Sequence, residues 1–105
     1  MEIQNVFSIA GLDLHDEFFE NILETQNFRV ERIISRGHKS PENFWYDQAT
    51  NEFVLLLKGE AELEFENKGK LKLKPGDYLI IKAHEKHRVA MTKNDGESFW
   101  ITIHY

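Results

Sequence analysis

Hydrophobic and polar positions follow two different periods along the chain, and the change falls near residue 28. In the N-terminal segment, residues 1–27, the apolar residues recur at helical spacing, with Asp13 before them as a candidate N-cap. These apolar residues are Leu14, Phe18, Phe19, Ile22 and Leu23. The spacing predicts one short amphipathic α-helix over about residues 14–25.

From Phe28 onward, short runs of β-forming residues alternate apolar with polar positions, and turn residues separate the runs. A series of this kind is typical of an all-β sandwich or barrel. We expect one domain with about eight or nine strands, folded over residues 28–105 as a small jelly-roll barrel that the N-terminal helix precedes. The predicted strand regions are 28–35, 44–46, 53–58, a hairpin over 61–73, 78–81, and two strands that begin at Val89 and Phe99.

Charge and composition exclude several classes of protein. Asp and Glu number 18 against 13 Lys and Arg, so the net charge of -5 predicts no nucleic-acid partner and no membrane partner. The chain has no cysteine, which excludes disulfides and thiolate metal sites. Its longest apolar run, 53–57, is far shorter than the roughly 20 residues that span a bilayer. The N-terminus lacks the pattern of a signal peptide, so we expect a cytoplasmic protein.

Two stretches of the sequence resemble the cupin superfamily. The segment 75–89 is similar to the second cupin motif, a Gly-Asp turn, a buried strand and a metal-binding histidine, and His87 falls on that histidine. Upstream, Glu52 stands seven residues before Gly59, as the glutamate of the first motif does. The resemblance covers about residues 30–105 and implies a barrel of the double-stranded β-helix type.

The sequence departs from the cupin pattern where the first motif has His-x-His. That place holds Tyr46 and Gln48 in one register, or Trp45 and Asp47 in the other, and neither register supplies a histidine. In the second motif, Lys82 replaces the proline and His84 replaces a glycine. The departures bear on the metal site more than on the fold.

The resemblance implies a divalent metal inside the barrel, with Glu52 and His87 as ligands. A third ligand would be Gln48 on the ground of register, or Asp47 on the ground of chemistry, since an anionic oxygen binds a metal more strongly. Adjacent strand residues face opposite ways, so only one of the two can point inward. Zinc, iron, manganese and nickel all accept such mixed nitrogen and oxygen ligands.

Two further residues are candidates for contacting a ligand. Tyr46 carries a hydroxyl that needs a partner if it is buried, so it is the aromatic residue expected to line a polar cavity. His84 lies three positions before His87 and could converge on the same ion, with a surface turn histidine as the alternative. The remaining histidines, His15, His38 and His104, are expected at the surface or the rim.

The leading functional hypothesis is a small cupin that binds a divalent metal and a small polar molecule inside its barrel. The alternatives are a metal-free small-molecule-binding module and a structural protein without catalysis. The resemblance also implies a homodimer, formed through an edge strand and apolar residues near the termini. Because one fold carries many activities, these residues do not decide between an enzyme and a binding protein.

Overall fold

The computed structural model describes all 105 residues as eight β-strands joined by turns and loops, without a helix. The strands are β1 (Phe18–Glu24), β2 (Arg29–Ser35), β3 (Glu52–Lys58), β4 (Ala61–Phe65), β5 (Gly69–Leu73), β6 (Tyr78–Ile81), β7 (His87–Thr92) and β8 (Ser98–His104). No segment forms a helix with the length and apolar character needed to cross a bilayer.

The strands form two antiparallel sheets. The five-stranded sheet has the order β1-β2-β8-β3-β6, and the three-stranded sheet has the order β5-β4-β7. Consecutive strands therefore often lie in different sheets or are separated by another strand, as in a jelly roll. The all-β class predicted for the region after residue 28 is confirmed.

The main hydrophobic core lies between the two sheets. It joins side chains of both: Val54, Leu56, Ala61, Leu63, Phe65, Leu73, Ile81 and Trp100. A second cluster, Leu14 with Ile34 and Phe99, lies on the outer face of the five-stranded sheet. Register explains the division, because Ile33 pairs with Trp100 and Ile34 with Phe99, and neighbours along a strand point to opposite faces.

The predicted helix over residues 14–25 is wrong. Residues 18–24 instead form β1, which pairs with β2, for example Phe18 with Ile34. The register shifts between Asn21 and Leu23, and such a β-bulge breaks the strict alternation by which a strand is recognised in a sequence. Because of the bulge, the apolar residues of this edge strand are spaced like those on one face of an α-helix.

The hairpin predicted over residues 61–73 is confirmed, and its charges pair across the strands. Glu62 lies opposite Lys72, and Glu64 lies opposite Lys70. The strand predicted over residues 44–46 is reduced to a single bridge between Tyr46 and His87.

Buried Arg32 fastens the N-terminal segment to the sheet. Its Nη1 donates hydrogen bonds to the backbone oxygens of Val6 and Ser8, at 3.1 and 2.8 Å. Its Nε lies 3.0 Å from Glu20 Oε1 of β1. The Arg32 side chain, which is buried apart from 7% of the residue, thus joins the N-terminal segment and β1 to its own strand, β2.

The end of the chain is fastened beside the start of β3. Asn51 and Tyr105 exchange two backbone hydrogen bonds, at 2.8 and 2.9 Å. This pairing extends the contact between β3 and β8 by one residue and keeps Glu52 beside His104, its register partner.

Candidate functional site

A cavity of about 240 Å³ lies inside the barrel between the two sheets. Sixteen residues line it, and eight of these are hydrophobic if Tyr46, which also carries a hydroxyl, is counted with them. The polar or ionisable lining residues are Glu17, Arg29, Glu31, Tyr46, Gln48, Glu52, His87, Thr102 and His104. Half of the wall is therefore able to hydrogen-bond a polar molecule while the other half packs against it.

Glu52 and His87 lie together at the polar side of the cavity. Each is the first residue of its strand, β3 and β7, and they are 7% and 5% exposed. His87 Nε2 lies 3.5 Å from Glu52 Oε1. Glu52 Oε1 is buried without a hydrogen-bond partner. The fold thus brings together the two residues that the resemblance selected, one from each sheet.

A backbone contact fixes the ring of His87. Its Nδ1 lies 2.8 Å from the Glu85 carbonyl oxygen. A carbonyl oxygen only accepts, so Nδ1 carries a hydrogen and Nε2 is left to face the cavity. Burial alone would lower the pKa of His87, but the contacts with Glu52 and the Glu85 carbonyl outweigh it, and the pKa is raised above 6.5.

His104 belongs to the same cluster, and the expectation that it lies at the surface or rim is wrong. It is 7% exposed, and its Nε2 lies 3.8 Å from Glu52 Oε2 and 3.6 Å from Glu31 Oε1. Both faces of β8 are largely buried, so the alternation of its residues did not reveal which face points inward.

Glu31 of β2 is a second carboxylate of the cavity that the sequence did not reveal. Burial acts to raise its pKa, but the hydrogen bond and charge of His104, with the charge of Arg29 and the hydroxyl of Thr102, lower it below 4.5. Thr102 Oγ1 donates to Glu31 Oε1 at 3.3 Å. Glu31 is therefore held as an anion.

Tyr46 and Gln48 both line the cavity, from the loop that precedes β3. The backbone of Tyr46 exchanges two hydrogen bonds with that of His87, and the two rings stack with centroids 5.5 Å apart. Burial, and then the negative charges of Glu17, Glu52 and Glu31, raise the pKa of the Tyr46 phenol. The phenol is thus a neutral donor at the cavity wall.

Asp47 and His84 lie outside the cavity, where they pair with each other. His84 Nδ1 is 2.8 Å from Asp47 Oδ1, and the two side chains are 69% and 43% exposed. The alternation that carries Gln48 inward turns Asp47 outward. Of the two candidate third ligands, Gln48 is therefore the one that lines the cavity with Glu52 and His87. His84 is a surface turn histidine and does not converge with His87 on the cavity.

A comparison with protein families identifies the family of this chain. A family profile described as "Cupin domain" matches residues 32–104. The chain belongs to the cupin family. The matched region holds β3 to β8 and the second half of β2, with Glu52, His87 and His104 among its residues.

Solved structures extend the comparison of this cupin. It is 36% identical to a protein of Ralstonia eutropha JMP134 that is provisionally named a mannose-6-phosphate isomerase, with a TM-score of 0.92 over 99% of this chain and 97% of that one. A cupin superfamily protein of Desulfitobacterium hafniense DCB-2 is 18% identical, with a TM-score of 0.72 over 88% of this chain and 79% of that one. Protein TT1209 of Thermus thermophilus is 13% identical, with a TM-score of 0.78 over 99% of this chain and 96% of that one. No curated protein sequence matches this cupin.

The cupin fold implies a divalent metal, and few side chains of this cavity are able to bind one. No group of three or more His, Asp or Glu side chains is arranged to hold a metal ion. The unpartnered Oε1 of Glu52 and the neighbouring Nε2 of His87 nevertheless have the chemistry of a two-residue donor set. Gln48 would add a neutral oxygen from the same wall.

One more carboxylate reaches the cavity from the segment before β1. Glu17 Oε2 accepts a short hydrogen bond from Ser35 Oγ, and Ser35 Oγ accepts one from Trp100 Nε1 at 3.2 Å. This chain of contacts fixes the Trp100 ring in the cavity wall. No sequence pattern indicated it, since its three members are distant along the chain.

Proposed function

We propose that this cupin binds a small polar molecule inside its barrel, with Glu52 and His87 as the central contacts. One observation carries the proposal: Glu52 Oε1 is buried, faces His87 and has no hydrogen-bond partner. A buried polar atom without a partner costs about 1–3 kcal/mol. A ligand that donates a hydrogen bond to this oxygen would recover that free energy.

The dimensions of the cavity limit the ligand. Its volume of about 240 Å³ is smaller than the roughly 300–1,000 Å³ of sites that take drug-sized molecules. A molecule of metabolite size fits it. Tyr46 would donate a hydrogen bond from its neutral phenol, and the amide of Gln48 could either donate or accept one.

The ligand named for the Ralstonia protein has a charge that this cavity is poorly equipped to bind. A phosphate is recognised by arginine and lysine side chains or by backbone amides, and Arg29 is the single Arg or Lys among the lining residues. Three carboxylates line the same wall. We therefore propose a ligand without a phosphate group.

A divalent metal is the second candidate, and Glu52, His87 and Gln48 would hold it. The Nδ1 contact of His87 with a backbone carbonyl supports this, because such contacts fix the tautomer of metal-binding histidines. When bound, the metal would act as a Lewis acid toward a ligand oxygen. Glu52 and His87 would then be its strongest ligands, with Gln48 the weakest.

One experiment tests both candidates. Untagged protein purified without a chelator is analysed for metal per chain, and thermal unfolding is then followed with each ion alone and with a panel of small metabolites. The double variant Glu52→Ala, His87→Ala should lose metal or metabolite stabilisation and still fold. His84→Ala removes a histidine outside the cavity and should change nothing. Equal stabilisation of the double variant and the natural chain would overturn the proposed site.

A homodimer is also a proposal. The outer edge of β1 is unpaired, and three of its apolar side chains, Phe19, Ile22 and Leu23, are each about half exposed. An exposed apolar edge strand favours pairing with another chain. Sedimentation velocity tests this, and a monomer at all concentrations would contradict it.

A further inference from the structure

The acidic side chains of the cavity outnumber its permanent cations. Glu17, Glu31 and Glu52 line the wall, and Arg29 is the only guanidinium or ammonium among the lining residues. The cavity is held in a barrel whose net charge is also negative. Its electrostatic character is therefore set by how these three carboxylates are neutralised.

Two of the carboxylates share one histidine. His104 Nε2 lies 3.6 Å from Glu31 Oε1 and 3.8 Å from Glu52 Oε2, so a single imidazole faces both. It carries at most one positive charge. Arg29 acts on Glu31 as well, which lowers the pKa of that carboxyl. Glu52 has no arginine or lysine beside it, and its other neighbour is the imidazole of His87, whose Nε2 lies 3.5 Å from Oε1.

The third carboxylate has no basic partner. Glu17 accepts a hydrogen bond from Ser35, and no Lys, Arg or His lies within ion-pair distance of it. A hydroxyl stabilises a carboxylate without neutralising it. The charge of Glu17 reaches the cavity, where it is one of the causes that raise the pKa of Tyr46.

An unsatisfied atom marks where a ligand would bind. Glu52 is more than nine-tenths buried, and its Oε1 has no hydrogen-bond partner. Tyr46, Trp100 and Phe19 line the same cavity, and the faces of aromatic rings attract cations. A positively charged donor would meet both the unpartnered oxygen and the aromatic wall.

We infer that the ligand of this cavity is a small organic cation, such as a primary amine, whose charge is balanced by Glu17, Glu31 and Glu52. The inference rests on the proposed function, since it specifies the ligand class of the same cavity. Its ammonium group would donate to Glu52 Oε1, and the rest of the molecule would lie against Tyr46 and Trp100.

Three probes that differ in charge test the inference: glucosamine, glucose and glucose 6-phosphate. Each is titrated into ¹⁵N-labelled protein with a chelator present, near neutral pH, where most of the glucosamine amine is protonated. The reporter is the indole N–H signal of Trp100, which lines the cavity. Trp45 is not among the lining residues, so its indole signal is an internal control.

Glucosamine should shift the Trp100 signal and leave that of Trp45 in place. Glucose should bind about fivefold more weakly, as expected for the loss of one charge contact, and glucose 6-phosphate should cause no shift. Glu17→Gln keeps an oxygen that accepts from Ser35 and removes the charge, so it should weaken glucosamine binding about fivefold. Glu24→Gln, on the exposed part of β1, should leave binding unchanged.

The outcomes separate this inference from the proposed function. If glucose or glucose 6-phosphate binds as tightly as glucosamine, as judged from the concentration that half-saturates the Trp100 shift, the charge inference is overturned. The cavity is then still a ligand site. Unchanged glucosamine binding in Glu17→Gln overturns it as well. If no probe shifts the signal, the inference fails, and the metabolite panel then decides the proposed function.

Discussion

Glu52 of β3 and His104 of β8 are register partners, and their side chains meet inside the barrel with 3.8 Å between Oε2 and Nε2. His87 reaches the other oxygen of the same carboxylate from the opposite sheet. One glutamate thus contacts His104 of the neighbouring strand in its own sheet and His87 of the other sheet. The polar centre of the cavity is therefore also part of what holds the sheets in place.

Replacing His104 should expose this structural role. His104→Gln leaves the carboxylates of Glu31 and Glu52 without their shared imidazole, so the free energy of unfolding should fall by about 1–3 kcal/mol. Urea denaturation at neutral pH measures the change. His15→Gln changes an exposed histidine side chain and should have an effect near zero. Equal effects in the two variants would contradict the role assigned to His104.

The titration of His87 gives a test that depends on pH. Its pKa is raised above 6.5 despite burial, because of Glu52 and the Glu85 carbonyl. The folded protein therefore holds this proton more tightly than the unfolded chain does. The resulting stabilisation is fully present below pH 6.5 and is lost as the pH rises through the folded pKa.

NMR of the imidazole ring, with a chelator present, measures the pKa of His87 directly. Glu52→Gln should lower it, because burial then acts against a weaker opposing contact. Glu66→Gln changes an exposed carboxylate and serves as the control. A His87 pKa at or below 6.5 in the natural chain would show that burial dominates.

Arg32 should contribute far more to stability than an exposed arginine. Arg32→Ala removes the hydrogen bonds to the Val6 and Ser8 oxygens and the contact with Glu20, and should cost about 1.5–3 kcal/mol. Arg36→Ala removes a partly exposed ion pair with Glu97 and should cost less than about 1 kcal/mol. Chemical denaturation compares the two, and limited proteolysis should cut the N-terminal segment faster only in Arg32→Ala.

Gly59 should tolerate no side chain. Its φ of +93° is costly for other residues, and an added Cβ would stand 2.6 Å from the Ser98 Cα. Gly69 has a φ of +77° but open space around it, so Gly69→Ala should cost about 1–2 kcal/mol. Gly59→Ala should cost about 3 kcal/mol or more, since steric overlap is added. Thermal unfolding of both variants separates backbone strain from crowding.

The resemblance to the cupin motifs, carried by Glu52, Gly59 and His87, implied the barrel and two central residues of its cavity. Glu52 and His87 begin strands, and Gly59 lies in a tight turn with a positive φ. Such positions restrict the residue type, so they can be recognised in the sequence. The edge strand β1 was mistaken for a helix because its bulge breaks the alternation and nothing in the sequence marks the partner strand. Such pairing is a tertiary property.

The remaining cavity residues could not be predicted for a different reason. Glu31 and His104 lie on strands that are substantially buried on both faces, so alternation did not show which face points inward. Glu17, Ser35 and Trp100 are brought together only by folding. Asp47 and Gln48 could be separated by geometry alone, because both oxygens suit a metal and only one faces the cavity.

The pairing of Asn51 with Tyr105 affects how the protein should be prepared. Because Tyr105 directly follows His104, any residues fused after it would leave the barrel beside the cavity. A polyhistidine tag placed there would bring the imidazoles of the tag close to Glu52, and the tag itself would bind metal ions. An N-terminal, removable tag keeps the metal content and the ligand titrations attributable to the protein's own residues.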